Sequence, residues 1–358
     1  MLSVGIVGLP NVGKSTVFNA LSRAGAKVSN YPFCTIEPNR AVVPIPDARL
    51  GQVAKVFGQE RAVPGTIEFV DIAGLVRGAN RGEGLGNRFL AEIREADAIL
   101  HVVRCFPNAQ VSHVEGSLDP VRDMEIVHLE LILADLATVQ RRQEKIASAL
   151  KARQAEAQRE AEALSLLAQH LDAGRPARTL LDRPEGPALA ELHLLTDKPE
   201  IILANTPEED PGFAAAVGSM AEHSHGPVVP VAGKLEAELA ELEEEEQRAF
   251  VSELGIACSG LERVIAACYD ALGLVTFFTG VGAEARAWAV PRGTAAAAAA
   301  GRIHSDMERG FIKAEVIGLE SLLESGSWQQ AHRAGQVRVE GRDYPVQEGD
   351  VLLIHFHP

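Results

Sequence analysis

Aromatic residues make up only 5% of this 358-residue sequence, and it holds two tryptophans and four cysteines. Basic residues are outnumbered, 34 Lys and Arg against 49 Asp and Glu, for a formal net charge of −15. No apolar run reaches the roughly 20 residues that a membrane-spanning helix needs. The start, Met1-Leu-Ser-Val, lacks a basic, apolar, small-residue leader pattern. Each shortage excludes something. Cys34, Cys105, Cys258 and Cys268 stand at spacings without metal-ligand or C-x-x-C character, so reduced thiols in a cytosol are expected. The acidic balance argues against broad electrostatic binding of nucleic acid, because phosphate contacts need Lys and Arg. Only local basic patches remain open, such as Arg77, Arg81, Arg88 and Arg94 in one stretch. A cytoplasmic location without membrane contact is the expectation.

What is present is an ordinary soluble balance, 46% apolar and 23% charged, in a chain long enough for two or three domains. One stretch organises the reading: Gly8-Leu-Pro-Asn-Val-Gly13-Lys14-Ser15-Thr16. It follows the apolar run Val4-Gly5-Ile6-Val7 and precedes helical spacing through Val17, Phe18, Ala20 and Leu21. Strand, Gly-rich turn and helix together make G-x-x-x-x-G-K-[ST] a phosphate-binding loop. Gly8 and Gly13 let the backbone approach a phosphate where a Cβ would intrude. Backbone N–H groups from Asn11, Val12, Gly13, Lys14, Ser15 and Thr16 then face the anion at a helix N-terminus. Lys14 reaches the β- and γ-phosphates and the Ser15 hydroxyl is placed to ligate Mg²⁺.

Residues 1–118 alternate strands (Ser3–Val7, Ala41–Ile45, Thr66–Val70, Ala98–Val103) with helices (Ser15–Ala24, Asn87–Arg94), the pattern of a mostly parallel α/β sheet. From Pro120 the character changes. Leu129, Ile132, Leu136, Val139, Gln143, Ile146 and Leu150 form a heptad stripe, and a second helical segment runs to Leu171. We read an antiparallel helical hairpin over 119–198, closed by a short helix at Ala188–Leu195. Strands resume at Glu200–Ala204 and Pro227–Val231, which makes the hairpin an insertion in a domain of 1–118 and 199–274. Glu236 to Glu246 reads as a solvated helix face carrying Leu235, Leu239 and Leu242. Residues 275–358, with strands at Val275–Thr279, Ala285–Val290, Ile312–Ile317 and Val351–Phe356, read as a small α+β module. The run Ala295–Ala300 fits a helix or a loop.

Three further stretches suit a nucleotide hydrolase. Thr35, in Asn30-Tyr-Pro-Phe-Cys-Thr-Ile-Glu-Pro-Asn39, lies where a loop hydroxyl can close over Mg²⁺. Asp71, ending a strand in Asp71-Ile-Ala-Gly74-Leu75, can hold the metal through water while the Gly74 N–H meets the γ-phosphate. D-x-x-G after a P-loop signals the guanine-nucleotide-binding class of fold. That class selects guanine with Asn-Lys-x-Asp, whereas Asn205-Thr206-Pro207-Glu208 stands here. An unpaired buried polar group costs about 1–3 kcal/mol, enough to reverse base preference, so adenine is opened as the base. Leu75 stands where many GTPases place a water-orienting Gln.

These motifs, with Gly82-Glu-Gly-Leu-Gly-Asn87, Arg302-Ile-His-Ser-Asp-Met-Glu-Arg-Gly-Phe-Ile-Lys-Ala-Glu-Val316 and Gly349-Asp-Val351, resemble the YchF-type Obg-like ATPases over nearly the whole chain. The resemblance implies a P-loop domain, a coiled-coil insertion and a C-terminal TGS domain of β-grasp shape. It implies Mg²⁺-dependent hydrolysis of ATP in preference to GTP, with Asn205 and Glu208 on the base. Ribosome association and a regulatory role in translation or stress response follow from it too. In the family a His replaces the missing Gln, and His113 is the matching residue. Val231-Ala-Gly233-Lys234-Leu-Glu236 resembles the base-closing loop, with Gly233-Lys234 in place of a small apolar pair. Cys34 matches a position tied to redox sensitivity. A monomer is expected, with RNA contact open through the TGS and helical parts (Arg302, Arg309, Lys313, Arg333, Arg338, Arg342). Two other readings stay open: a nucleotide-gated ribosome-binding scaffold with negligible hydrolysis, motivated by Leu75, and a small-molecule kinase, disfavoured by Asp71-x-x-Gly74 and Thr35.

Overall fold

The computed structural model describes residues 2–27, 39–72, 85–107, 113–151, 155–180, 187–207, 213–253, 258–280 and 282–357. They form two compact units, Met1–Ala41 with Glu68–Cys268, and Val42–Ile67 with Tyr269–Pro358. In chain order the elements are β1 (Ser3–Val7), α1 (Lys14–Lys27), β2 (Arg40–Pro44), α2 (Arg49–Phe57), β3 (Arg61–Val63), β4 (Thr66–Asp71), α3 (Leu85–Glu95) and β5 (Ala98–Arg104). Then come α4 (Pro120–Lys151), α5 (Ala155–Asp172), α6 (Pro187–Ala190), β6 (Glu200–Asn205), α7 (Phe213–His223), β7 (Val228–Val231), α8 (Gly233–Leu239), α9 (Glu244–Glu253) and α10 (Gly260–Ala271). The chain closes with β8 (Leu274–Thr279), β9 (Glu284–Pro291), α11 (Ala296–Ile303), α12 (Ser305–Arg309), β10 (Phe311–Gly318), α13 (Leu319–Ser325), α14 (Trp328–Arg333), β11 (Arg338–Glu340) and β12 (Asp350–Phe356).

The first sheet has the order β2-β4-β1-β5-β6-β7, with β1 parallel to both β4 and β5, and β6 parallel to β5 and β7. Strands β1, β5 and β6 are buried along their whole length, as expected of parallel strands covered on both faces. Helix α4 serves two structures. Its first turns, with Val121 and Met124, pack on Val103, Cys105, Ile202 and Ala204 of the sheet side. Further along, Ile132, Val139 and Ile146 meet Leu164, Leu167 and Leu171 of α5. The heptad stripe thus holds, except at Leu129, which is 52% exposed because Val127 and Leu131 take the inward face there. The short helix expected at Ala188–Leu195 is instead α6 followed by a 3₁₀ turn at Leu195–Asp197. Buried Asp135 of α4 fixes that turn, accepting from Leu195 N, Thr196 N and Thr196 Oγ1 at 2.8, 2.8 and 2.7 Å.

The second sheet runs β11-β10-β12-β8-β9-β3. Strands β12 and β8, and β3 and β9, pair in parallel, while β10 runs antiparallel to β11 and β12, and β8 antiparallel to β9. This mixed α+β sheet is the β-grasp module. The alanine run is helical: Ala296, Ala297, Ala299 and Ala300 of α11 pack on Val275, Phe277, Ala314 and Val316. The opposite face is covered by Leu50, Val53 and Ala54 of α2 together with Leu319 and Leu322 of α13. Helix α2 and strand β3, read with the nucleotide domain, therefore pack in the unit containing β8–β12, while β2 and β4 on either side of them pair in the first sheet. The reason is apolar burial at i, i+3 and i+4 on α2, whose matching surface is that face of the second sheet.

Candidate nucleotide-binding site

The phosphate loop leaves β1 at Gly8, where an added Cβ would come 2.6 Å from the Val102 carbonyl oxygen. The loop then passes through Asn11 at φ 63 and Gly13 at φ 92, both left-handed backbone. At Gly13 a Cβ would also sit 2.2 Å from Asn205 Nδ2, so both conformation and space demand glycine. Helix α1 starts at Lys14, with Val17 N bonded to Gly13 O at 3.1 Å, and its first turn carries no acid. Its positive end is not neutralised by its own side chains, the condition for anion binding. Ser15 and Thr16 are exposed there, while Val12 is buried and anchors the loop.

The parallel register places Asp71, the last residue of β4, opposite Ile6 near the end of β1. Its N–H donates to Asn39 O at 2.8 Å, and its carboxylate forms an ion pair with Lys14 Nζ. The two groups assigned to phosphate and metal thus neutralise each other.

Asn205, 4% exposed at the end of β6, ties three segments together. Its Nδ2 donates to Val12 O at 2.9 Å, its Oδ1 accepts from Gly233 N at 3.1 Å, and its carbonyl accepts from Cys105 N at 2.8 Å. Thr206 N continues the link by donating to Val231 O at 2.9 Å. Asn205 and Gly233, read as base contacts, are therefore joined to the phosphate loop through one amide, which keeps one N–H and one lone pair for other partners. The sequence carries a signal for this: an Asn ending an apolar strand, with glycines at 13 and 233 leaving room for its side chain.

The acidic run is not solely a solvated face. Glu236 of α8 is 4% exposed, and its Oε1 accepts from Gly260 N, the first residue of α10, at 2.6 Å. Burial pushes its carboxyl above the usual range, against the opposing pull of the Gly260 hydrogen bond. Nothing in the sequence marks this contact, because 24 positions separate the two residues and no local pattern pairs them.

His113 sits before α4. Its Nε2 donates to Asp123 Oδ2 at 2.7 Å and its Nδ1 accepts from Glu115 N at 3.1 Å, so both ring nitrogens are engaged. Asp123 is 2% exposed and also receives Arg122 Nη2 on Oδ1 at 2.8 Å. The structure thus gathers Val12, Gly13, Lys14, Asp71, Asn205 and Gly233, and holds His113 on Asp123. Cys34, Thr35, Gly74, Leu75 and Glu208 lie outside the described residues.

Comparison with known proteins gives the lineage. Residues 3–134 match a family model described as a 50S ribosome-binding GTPase, and residues 274–357 match the YchF-GTPase C-terminal model, described as a protein of unknown function. The chain is 47% identical over 363 residues to the protein of Bacillus subtilis (strain 168) named "Ribosome-binding ATPase YchF", covering 99% of each chain. It is 46% identical to the protein of the same name from Escherichia coli O157:H7, covering 99% of this chain and 98% of the relative. The chain belongs to the YchF family. A solved structure titled "Structure of the Schizosaccharomyces pombe YchF GTPase" superposes with a TM-score of 0.86 at 33% identity, covering 99% of this chain and 97% of that one. The names given to YchF proteins thus divide on the nucleotide, ATPase for the two bacterial relatives and GTPase for the yeast structure. The YchF resemblance read from the motifs, and the P-loop, helical-insertion and β-grasp architecture it implied, agree with these matches.

Proposed function

We propose that this chain is an Mg²⁺-dependent ATP-binding and ATP-hydrolysing switch that associates with ribosomes and regulates translation or stress response from the cytoplasm as a monomer. The observation that carries the reading is the joining of Lys14, Asp71 and Asn205 around one phosphate loop. The name borne by the bacterial relatives supports ATP and the ribosome. Thr206 and Glu208 in place of Lys and Asp support adenine.

The residues fit Mg²⁺. Ser15 is exposed at the start of α1 and Asp71 lies within reach of Lys14, two hard oxygen donors of the kind that ion takes. Ser15, Asp71 and Thr35 would hold it. When bound, the ion supplies charge neutralisation across the β- and γ-phosphates. Lys14 and the N–H groups from Asn11 to Thr16 bind those phosphates and bear the charge that develops in the transition state. Gly74 N–H meets the γ-phosphate. Glu208, Asn205 and Gly233 seat the base. With Leu75 unable to orient water, His113 does so after leaving Asp123. Ribosomal RNA contacts fall to the helical and TGS parts.

The engaged ring of His113 favours a second reading, a nucleotide-gated ribosome-binding scaffold with negligible hydrolysis. Single-turnover hydrolysis separates the two. His113→Ala is expected to slow the step at least about tenfold, near the low end of effects at acid–base groups, and equal rates would remove His113 from the chemistry. Affinities for fluorescent ATP and GTP analogues, followed by ribosome co-sedimentation in each nucleotide state, test the rest. A clear GTP preference overturns the ATP assignment.

A further inference from the structure

Between the first sheet and α4, two imidazoles and a carboxylate occupy positions where the pattern asks for apolar side chains. His101 lies mid-way along β5 and is 1% exposed, in a strand buried throughout. Glu200 opens β6 and is 3% exposed. The register sets it opposite Ile99, so its side chain shares a face with His101 two residues on. On α4, His128 follows Val121 and Met124 by seven and four residues, on the helix face that packs against the sheet.

The three groups converge on one point. Glu200 Oε1 meets His128 Nε2 at 2.9 Å and His101 Nδ1 at 3.2 Å, and these three atoms all lie within 4.8 Å of one another. Among the described residues no other set of three His, Cys, Asp or Glu side chains does this. The second carboxylate oxygen, Oε2, is held by the Arg178 guanidinium at 2.5 Å. Arg178 alone balances the charge of Glu200, so charge balance does not call for two imidazoles on the other oxygen.

The geometry points to a cation. A tetrahedral ion about 2.0–2.1 Å from its ligands sets neighbouring ligand atoms about 3.3 Å apart. The two contacts to Oε1 are within a few tenths of an ångström of that separation, while the two imidazole nitrogens, within 4.8 Å of each other, draw together around a bound ion. Binding needs each imidazole to carry its proton on the other ring nitrogen, a tautomer change without net proton release. Two imidazole nitrogens and one carboxylate oxygen suit borderline divalent ions and not Mg²⁺, which prefers oxygen. Arg178 on Oε2 is the outer group that fixes a ligating carboxylate. The side chain of His128 is 14% exposed, the most accessible of the three.

We propose that His101, His128 and Glu200 form a Zn²⁺-class transition-metal site, distinct from the nucleotide site, that pins α4 to the sheet. The test is titration of the chelator-stripped full-length protein with Co²⁺ in excess Mg²⁺. The expected result is one equivalent bound with the visible bands of tetrahedral Co²⁺, no near-ultraviolet thiolate band, and displacement by Zn²⁺. His128→Gln keeps an N–H for Glu200 but offers no imidazole. It is expected to fold as the wild type does and to bind Co²⁺ at least about tenfold more weakly. Should that variant not fold, X-ray absorption of the wild type with one equivalent of Zn²⁺ decides the matter: a nitrogen and oxygen shell with scattering from two imidazoles is expected. Absence of tetrahedral bands in the wild type, an unchanged spectrum in His128→Gln, or sulfur in the zinc shell would each overturn the proposal. The cluster is then a hydrogen-bonded ion pair of Glu200 with Arg178.

Discussion

Asn205→Ala cuts the amide that ties the phosphate loop to the start of α8. Two hydrogen bonds go, Nδ2 to Val12 O at 2.9 Å and Gly233 N to Oδ1 at 3.1 Å. Val12 and Gly233 are buried, so both partner groups lose their bonds in dry surroundings. Each unsatisfied group costs about 1–3 kcal/mol, and a water entering the vacated volume recovers part of that, giving about 2–4 kcal/mol in all. Where the loop must be reordered by the ligand, every 1.4 kcal/mol of that cost appears as about a tenfold weaker affinity. Urea denaturation and titration with a fluorescent ATP analogue read the two effects separately. Asn205→Asp sharpens the case. It keeps the acceptor for Gly233 N but turns a carboxylate oxygen toward the Val12 carbonyl in a buried place, so it should lose more than the alanine variant.

A double-mutant cycle isolates the contact. Gly13→Ala drives a Cβ to 2.2 Å from Asn205 Nδ2, with Asn205 Cγ next at 3.5 Å. Its cost is therefore expected to fall in the Asn205→Ala background, leaving mainly the strain of φ 92, about 1–3 kcal/mol. An alanine variant at 205 that keeps wild-type ATP affinity and loses less than about 0.5 kcal/mol would refute the coupling. Strict additivity of the two substitutions would refute it equally.

The phosphate loop was legible because local chemistry fixes it: glycines at 8 and 13, Lys14, and the strand and helix on either side all lie within a few turns of chain. Strands β1, β5 and β6 were legible for a similar reason, since a strand buried on both faces reads as a short apolar run. The assignment of α2 and β3 was not. Leu50, Val53, Ala54 and Phe57 carry a helical stripe, yet only the second sheet, with residues more than 200 positions away, says which core that stripe enters. Three-dimensional pairings of polar groups were equally hidden. Lys14 and Asp71 could be named from motifs, but not that they neutralise each other. His101, His128, Arg178 and Glu200 come from four separate segments, and only packing of α4 on the sheet makes them one cluster.

Asp71→Asn removes the counter-ion of Lys14, so metal-free ATP affinity should rise while the gain from added Mg²⁺ shrinks; a lower metal-free affinity by isothermal titration calorimetry refutes the mutual neutralisation. Leu164→Ala empties a fully buried place in the α4–α5 seam and should cost about 2–5 kcal/mol in urea denaturation. A loss under about 1 kcal/mol would show the seam to be loose. Glu236→Gln tests the buried carboxyl by pH. Burial raises its folded-state pKa, so the folded protein holds a proton that the unfolded chain has already released. Stability from this group is accordingly full below the ordinary carboxylate pKa and is lost as pH rises through the raised folded value. Glutamine stays neutral and still offers an oxygen to Gly260 N. The variant should therefore gain stability over the wild type as pH climbs above the ordinary carboxylate range, with the two converging at the acid end. Other buried acids, such as Asp135 and Asp350, titrate in both proteins, so the difference curve reports Glu236 alone. A difference that is flat, or largest in acid, would mean that ionised Glu236 is what holds the start of α10.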